Sequence, residues 1–363
     1  MTINSSSSEV MSGSEMLWVC CSPAILVFGI CGNLLTLLVM LRSRMSGNST
    51  SVFLPVLAVA DSVALVSGII PEWLEMAHII KLKGLHPWSC RTEKVIFYSS
   101  IDASIWTLLA FTIDRWLAVV FPLKKTSWCT ERRAKIAVLV VICSSIGLNS
   151  HVLWTRGTVR GLDRLKNETW TNHCGKPEPY AYFEKFIRPW IVFGLANALP
   201  VLLICFCNTM IVSALIRIPR RDGAMGVRDR DKANVLQTTF MCLSASFLFL
   251  FCVTPSIIVL IGRPWWDERY WYGVVKAVAN LLTHVNHSVN FLLYCVSGRR
   301  FREELISMLR GEESPTSLKA LRRATIMASM AYNRRETLGT LGTLSTLGRS
   351  FSSNNCLDRV SCV

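Results

Sequence analysis

The sequence predicts an all-α integral membrane protein, a seven-transmembrane helix bundle followed by a short amphipathic helix. Three observations predict this fold. Of the 363 residues, 51% are hydrophobic and only 17% are charged, which is less charge than soluble proteins carry. The apolar residues gather in seven blocks, each near the roughly 20 residues that a helix needs to cross a bilayer core. Such blocks must be helical, because backbone polar groups find no water inside lipid.

The seven apolar blocks contain one charged residue at most. Five contain no Asp, Glu, Lys or Arg, and two contain a single acid, Asp61 in the second block and Asp102 in the third. We place the spans at about residues 17–42, 51–77, 88–120, 134–155, 183–217, 232–262 and 269–297.

The residues after the last span predict one more helix and a tail. Apolar residues recur at helical spacing among Arg and Glu in "GRRFREELISMLR", which indicates an amphipathic helix on the membrane surface. The tail is rich in Ser, Thr, Gly and Arg, and we expect it to be disordered. The predicted organisation is an N-terminal segment (1–16), a seven-helix domain (17–297), an amphipathic helix (298–310) and a tail (311–363).

Basic residues at the two ends of the chain set the predicted orientation. No Lys or Arg precedes the first span, whereas 11 follow the last. The positive-inside rule then places the N-terminus outside and the tail in the cytoplasm, as in a multi-pass protein of the plasma membrane. The absence of basic residues before the first span also argues against a cleaved signal peptide. The net charge of +15 is explained by this topology and by contact with anionic lipid, and we expect no binding to nucleic acid.

Cysteines and sequons mark the side expected to be outside. Most of the 14 cysteines lie within spans, but Cys90 and Cys174 fall at the outer side. That side is oxidising, so we expect a disulfide between them; two free thiols are the alternative. Asn4 and Asn167 begin N-x-S/T sequons on the same side and are candidate glycosylation sites.

Short motifs occur in every span except the fourth. They are Gly32-Asn33, Leu57 to Asp61, Asp114-Arg115-Trp116 (Arg115 lies 25 residues after Cys90), Pro200, Cys252 to Pro255, and Asn290 to Tyr294. In this order they resemble the rhodopsin family (class A) of G-protein-coupled receptors over residues 17–310. "LNSHVLWT" (148–155) and "NHSVNFLLYCV" (286–296) narrow the resemblance to invertebrate neuropeptide receptors of the FMRFamide-receptor-like group.

The resemblance implies a G-protein coupling site at the inner end of the third span. Asp114 and Arg115 would pair at rest, and Arg115 would turn to an arriving G protein when the helices open. Trp116 completes the motif, Leu123 would enter an apolar pocket of the G protein, and Tyr294 would serve the switch from span 7. The alternative is an interfacial Arg115 that only reaches for the headgroups.

The resemblance also implies an allosteric sodium ion, the only cofactor to consider. Asp61 is an acid near the bilayer midplane, and Ser104, Asn286 and Asn290 match the family's other sodium ligands. His287 departs from the family, because a small hydroxyl residue is usual there, and an imidazole can crowd or oppose Na⁺. The alternative is a protonated Asp61 hydrogen-bonded to asparagines of spans 1 and 7.

Other departures weaken the transfer of the family's switch residues. The usual Trp of span 6 is Val253, the usual Pro after Asn290 is Phe291, and the usual Tyr low in span 5 is Asn208. Span 4 also lacks its usual Trp.

The ligand site is expected among the outer halves of spans 2, 3, 5, 6 and 7. By resemblance, an opsin needs a Lys where His284 stands, and an amine receptor needs an Asp where Phe97 stands. The remaining candidates are charged, polar and aromatic, which suits a short peptide. They are Glu72, Trp73, Glu75, Lys94, Phe97, Tyr98, Arg188, Trp190, Arg263, Asn280 and His284. Glu72 and Glu75 can pair with a basic group of the ligand or be ordinary interfacial charges, and Asp102 can be a structural acceptor.

The predicted function is therefore signalling, in which a short extracellular neuropeptide activates heterotrimeric G proteins. No catalytic motif is present, so the chain is not expected to be an enzyme. Two alternatives remain, a chemosensory receptor of the same fold for a small molecule and a seven-helix transporter or channel. Kinases and arrestin are further expected partners, through the basic-flanked Thr325 and Thr337, and the C-terminus from Val360 to Val363 fits a PDZ ligand.

Overall fold

The computed structural model describes residues 11–42, 49–77, 79–80, 86–163, 168–175, 177–180, 182–217, 227–266 and 269–312. The predicted glycosylation sites, the tail phosphorylation sites and the PDZ ligand lie outside these residues. The chain forms two units, residues 1–305 and 306–363. In the second unit the structure describes the last turn of a helix and a turn that ends at Glu312.

Eight main helices follow the predicted order. They are α1 (Gly13–Arg42), α2 (Thr50–Met76), α3 (Pro87–Val120), α4 (Glu131–Asn149), α5 (Arg188–Arg217), α6 (Val227–Trp266), α7 (Tyr272–Ser288 and Asn290–Ser297) and α8 (Arg299–Leu309). Short helices Lys125–Trp128 and Val152–Thr155 flank α4.

The first six of these helices are long and apolar enough to cross a membrane. Their outward surfaces carry large apolar side chains, such as Phe251 on α6, which is 72% exposed in the isolated chain; lipid covers such surfaces in a bilayer. The seventh is interrupted at Val289, whose carbonyl oxygen accepts from the amide of Leu292 at 3.0 Å. Its two segments together cover about 26 residues, or roughly 39 Å of helix. The prediction of a seven-helix membrane bundle is confirmed.

Two strands add to the predicted all-α architecture. Strand β1 (Gly157–Asp163) pairs antiparallel with β2 (Glu168–Gly175), and Thr158 lies opposite Cys174. The hairpin lies between α4 and α5, outside the apolar blocks, where helix formation is not forced. Single-residue patterns did not reveal it, because two strands of seven and eight residues depend on each other for their hydrogen bonds.

The fifth span is less regular than the sequence predicts. The expected start at residue 183 coincides with a π-helical segment, Phe183–Ile187, and a second one, Val192–Ala198, interrupts α5. These wide turns change which side chains face the bundle at the outer part of the helix.

The bundle core lies midway along α2, α3, α5 and α6. Its buried residues are Leu57, Ile105, Leu108, Leu109, Ile204, Ala245, Phe249 and Val253. Close helix contact elsewhere depends on Gly32 of α1, where an added Cβ would lie 3.0 Å from Cβ of Phe291. A larger residue at position 32 would therefore push α1 away from α7.

Candidate functional site

A disulfide fixes one end of the bundle. Cys90, at the start of α3, is bonded to Cys174 of β2, with Cα atoms 5.4 Å apart. The bridge, which the sequence predicted, holds the unpredicted hairpin beside α3. We call this end of the bundle the disulfide end, and the opposite end, where Arg115 lies, the Arg115 end.

Two arginines share one buried carboxylate at the disulfide end. Arg156 Nη2 lies 2.9 Å from Oε2 of Glu184, and Arg188 Nε lies 3.7 Å from Oε1. The Glu184 side chain has no exposed surface, and the Thr155 hydroxyl donates to Oε1 at 3.0 Å. The Arg188 guanidinium also lies over the Tyr98 ring, 4.5 Å from its centroid. Two positive charges facing one negative charge leave this Arg156–Glu184–Arg188 cluster positive.

A row of aromatic rings continues from Tyr98 toward α7. Phe97 contacts Tyr98 and stacks on His284 with centroids 6.1 Å apart. Lys94 Nζ lies 5.6 Å from the Phe97 centroid, and Trp18 of α1 meets the His284 ring edge-on at 5.4 Å. Contacts thus join the predicted ligand residues of α3, α5 and α7 into one surface.

The remaining predicted ligand residues lie elsewhere around the disulfide end. The indole Nε1 of Trp73 donates to the carbonyl oxygen of Val19 at 3.1 Å, which ties α2 to α1. Trp190 is 62% exposed, and its ring contacts Phe193 on the same helix. Glu72 and Glu75 are half-buried on α2, whereas Arg263 and Asn280 are exposed on α6 and α7. Asn280 adjoins the aromatic row, because its backbone oxygen lies 2.8 Å from Nδ1 of His284.

Asp102, the unexpected acid of span 3, has a structural partner. Its Oδ2 accepts from Nδ2 of Asn149 at 2.6 Å, and Asn149 also donates to the carbonyl oxygen of Ser145. Both side chains are buried, so this bond fastens α3 to α4 and satisfies the carboxylate inside the bundle.

At mid-membrane, Asp61 is the centre of a joint between α2, α3 and α7. Its Oδ1 accepts from Oγ of Ser104 at 2.6 Å and is hydrogen-bonded to Nδ1 of His287 at 2.7 Å, and its Oδ2 accepts from Nδ2 of Asn290 at 2.7 Å. The Asp61 side chain has no exposed surface and His287 only 2%. Asn33 of α1 donates to the backbone oxygen of His287 at 3.2 Å. We call Asp61, Ser104, His287 and Asn290 the Asp61 joint.

The residues of the Asp61 joint do not fit a sodium ion. A hard cation needs several oxygen atoms directed at it, but the donors of Ser104, His287 and Asn290 already point at both carboxylate oxygens. Asn286 is buried but makes no described hydrogen bond to Asp61.

At the Arg115 end, Arg115 forms a second polar cluster with two neighbouring side chains. The guanidinium pairs with the carboxylate of Asp114, and Nη2 donates to Oγ of Ser49 at 3.0 Å. Ser49, which precedes α2, in turn donates to Oδ2 of Asp114 at 2.7 Å. Arg115 is only 5% exposed, and its charge lies 5.6 Å from the ring centroid of Phe111. We call Ser49, Asp114 and Arg115 the Arg115 latch.

The other predicted coupling residues near the latch, Trp116, Leu123 and Tyr294, differ in their exposure. Leu123 is 94% exposed. Trp116 packs edge-on against Phe121 and Phe206, so it belongs to the contact between α3 and α5. Tyr294 is buried against Phe301.

Cys129 supports the latch from the loop after α3. Its Sγ donates to the backbone oxygen of Asp114 at 3.4 Å. Burial, together with the nearby Asp114 carboxylate, raises the pKa of the Cys129 thiol to about 11. The thiol therefore stays protonated at neutral pH and keeps its role as a donor.

Helices α3 and α6 are joined next to the latch. Thr112 Oγ1 lies 3.3 Å from Sγ of Cys242 and 3.4 Å from Oγ of Ser246, and all three side chains are buried. Asn208 of α5 is also buried, and within the described chain its amide atoms have no hydrogen-bond partner. With α6 held against α3, the Arg115 end is closed.

The comparison with known families agrees with this arrangement. The sequence model of the rhodopsin family of seven-transmembrane receptors matches residues 32–294, which cover more than half of the chain. The chain belongs to the rhodopsin family of seven-transmembrane receptors. It is therefore a receptor and not an enzyme, as the sequence predicted.

Curated relatives of this rhodopsin-family receptor are distant. The FMRFamide receptor of Drosophila melanogaster is 26% identical over 78% of this chain and 52% of that receptor. The FMRFamide peptide receptor frpr-18 of Caenorhabditis elegans is 25% identical over 82% of this chain and 70% of that receptor. The growth hormone secretagogue receptor type 1 of Oryctolagus cuniculus is 25% identical over 86% of this chain and 85% of that receptor. The chain thus spans about half the length of the Drosophila receptor.

Sequence reasoning missed three participants in these sites of the rhodopsin-family receptor. Ser49 completes the Arg115 latch from another helix, and Arg156 and Glu184 form the charged cluster at the disulfide end. One signal was available for the cluster, since Glu184 and Arg188 stand four residues apart and so share a helix face. No pattern in the sequence indicated the role of Ser49, because serines are common next to membrane spans.

Proposed function

We propose that this rhodopsin-family receptor binds a short extracellular peptide at the disulfide end and activates heterotrimeric G proteins at the Arg115 end. One observation carries the proposal: α3 lines a charged aromatic surface at one end and holds the closed Arg115 latch at the other. A ligand that binds the open bundle more tightly than the closed one would shift the equilibrium and release Arg115. The disulfide end then faces outward from the plasma membrane, and the tail lies in the cytoplasm.

The chemistry of the disulfide end supports a peptide ligand. The Arg156–Glu184–Arg188 cluster carries excess positive charge, and Phe97, Tyr98 and His284 offer aromatic faces beside it. Peptides present charged ends and apolar side chains together, whereas most small odorants lack fixed charges. The names of two relatives, both FMRFamide receptors, favour the same class.

A peptide screen in cells tests this function. Cells that express the full chain are exposed to synthetic neuropeptides, FMRFamide among them, and heterotrimeric G-protein dissociation is recorded by energy transfer. We expect at least one peptide to activate the wild type and to be inactive in untransfected cells. Activation by small odorants and by no peptide would favour the chemosensory alternative instead.

Arg188→Gln is expected to lower the potency of the activating peptide by about tenfold or more. The substitution removes the guanidinium that stacks on Tyr98 and takes one of the two described arginines from Glu184. Loss of one charge-assisted contact costs about 1.5–3 kcal/mol. Concentration–response curves measure the shift, and Arg269→Gln, an exposed arginine before α7, is the control that should not move it. An unchanged curve for Arg188→Gln would place the ligand elsewhere.

Ser49→Ala is expected to raise basal signalling by a few-fold. Its hydroxyl accepts from Arg115 and donates to Asp114, and a hydrogen bond to a charged group contributes about 1.5–3 kcal/mol. Basal G-protein activation is measured at matched surface expression. Ser62→Ala is the control on the same helix, because that hydroxyl bonds only the carbonyl oxygen of Ala58. Equal basal signals in the two variants would exclude Ser49 from the latch.

A further inference from the structure

The imidazole of His287 stands where a cation would have to approach Asp61. Nδ1 lies 2.7 Å from Oδ1 of Asp61 and 3.5 Å from Oγ of Ser104. A sodium site requires an ionised Asp61, and an ionised carboxylate can only accept, so in that state Nδ1 carries the hydrogen and points it at the oxygen. A cation at the same oxygen would meet this N–H instead of a lone pair. The second carboxylate oxygen is already bonded by Asn290 at 2.7 Å.

The position of the imidazole is set by more than its bond to Asp61. The backbone oxygen of His287 accepts from the amide of Asn33 at 3.2 Å, so α1 fixes the turn of α7 that carries the ring. The ring itself is buried. To admit an ion, His287 would have to leave its bond to a carboxylate without exposed surface, and breaking such a buried pair is strongly unfavourable.

We propose that His287 replaces the cation of the Asp61 joint, so that α7 is fastened directly to α2 and α3 and sodium does not influence this receptor. A bound ion comes and goes with its concentration, whereas a side chain is always present at its site. The resting arrangement is therefore independent of the sodium gradient across the membrane. This inference does not depend on the class of ligand.

Thermal unfolding of the full-length receptor in lipid nanodiscs tests the proposal without any ligand. The midpoint is measured from 10 to 500 mM NaCl against choline chloride at the same ionic strength and pH. We expect the wild-type midpoints in the two salts to coincide within about 1 °C. A rise in NaCl alone of more than about 2 °C, the size of a 1 kcal/mol stabilisation in a protein of this length, would overturn the proposal.

His287→Ser should create the sodium response that the wild type lacks. The smaller side chain opens space beside Asp61, leaves its charge uncompensated and adds a hydroxyl oxygen. We expect its midpoint to rise by about 2–4 °C in NaCl over choline chloride, and Asp61→Asn in the same chain should remove the rise. His284→Ser is the matched control, because that buried histidine of α7 bonds the carbonyl oxygen of Asn280 and not Asp61.

Each result bears on the proposal. If His287→Ser stays as insensitive to sodium as the wild type, the imidazole is not what excludes the ion, and the proposal is wrong. If His284→Ser gains the same response, the effect is a general loosening of α7, and the proposal is equally wrong. Should His287→Ser fail to fold, His287→Asn, which keeps a polar side chain of smaller size, takes its place, while the wild-type measurement stands by itself.

Discussion

Arg115→Ala is expected to reduce G-protein activation at least tenfold while peptide binding at the disulfide end persists. In the proposed mechanism Arg115 offers its positive charge to the arriving partner once its pair with Asp114 opens, and arginine stays charged under all physiological conditions. The two ends of α3 are far apart, since the 25 residues from Cys90 to Arg115 span about 37 Å of helix. The substitution acts on ligand affinity only through the conformational equilibrium, a coupling of typically about 1–3 kcal/mol.

Asp114→Asn is the counterpart of that experiment. It leaves the Arg115 charge buried beside neutral groups, the new amide and the hydroxyl of Ser49, and a buried charge without its counter-charge costs about 3–5 kcal/mol. Opening the bundle relieves this cost, so we expect raised basal signalling. Both variants are compared at equal surface expression, with Arg133→Ala, an exposed arginine of α4, as control. Full signalling by Arg115→Ala would contradict the latch and reopen the transporter alternative.

Cys90→Ser and Cys174→Ser are each expected to lower surface expression and peptide binding several-fold. The disulfide closes a loop with a sequence separation of 84 residues, and native disulfides contribute about 2–5 kcal/mol. Without it, the hairpin is no longer held to α3 beside the Arg156–Glu184–Arg188 cluster. Cell-surface labelling and concentration–response curves measure the two effects.

Two comparisons make the disulfide prediction specific. The double variant should behave like either single variant, because the bond is already lost in each. Cys143→Ser, an exposed free cysteine on α4, should change nothing. Wild-type behaviour of either Cys90→Ser or Cys174→Ser would mean that the bond does not hold the receptor together.

The sequence predicted the structure correctly where residue types alone determine the surroundings of a segment. Apolar blocks gave the spans, since only helices satisfy the backbone in lipid, and the oxidising side gave the disulfide between Cys90 and Cys174. It was insufficient where the partner comes from a distant segment. The bond of Ser49 to Asp114 crosses 65 residues and that of His287 to Asp61 crosses 226. Local pattern carries no information about such pairs, and the hairpin was missed for the same reason.

The interruption of α7 at Val289 has a mechanical consequence, because Phe291 stands where related receptors carry proline. A proline would remove an amide hydrogen and make the break permanent. Phenylalanine keeps that hydrogen, so the residue at position 291 does not itself prevent the turn at Val289 from becoming regular helix. The break between the Asp61 joint and Tyr294 is therefore not imposed by a missing amide hydrogen at position 291.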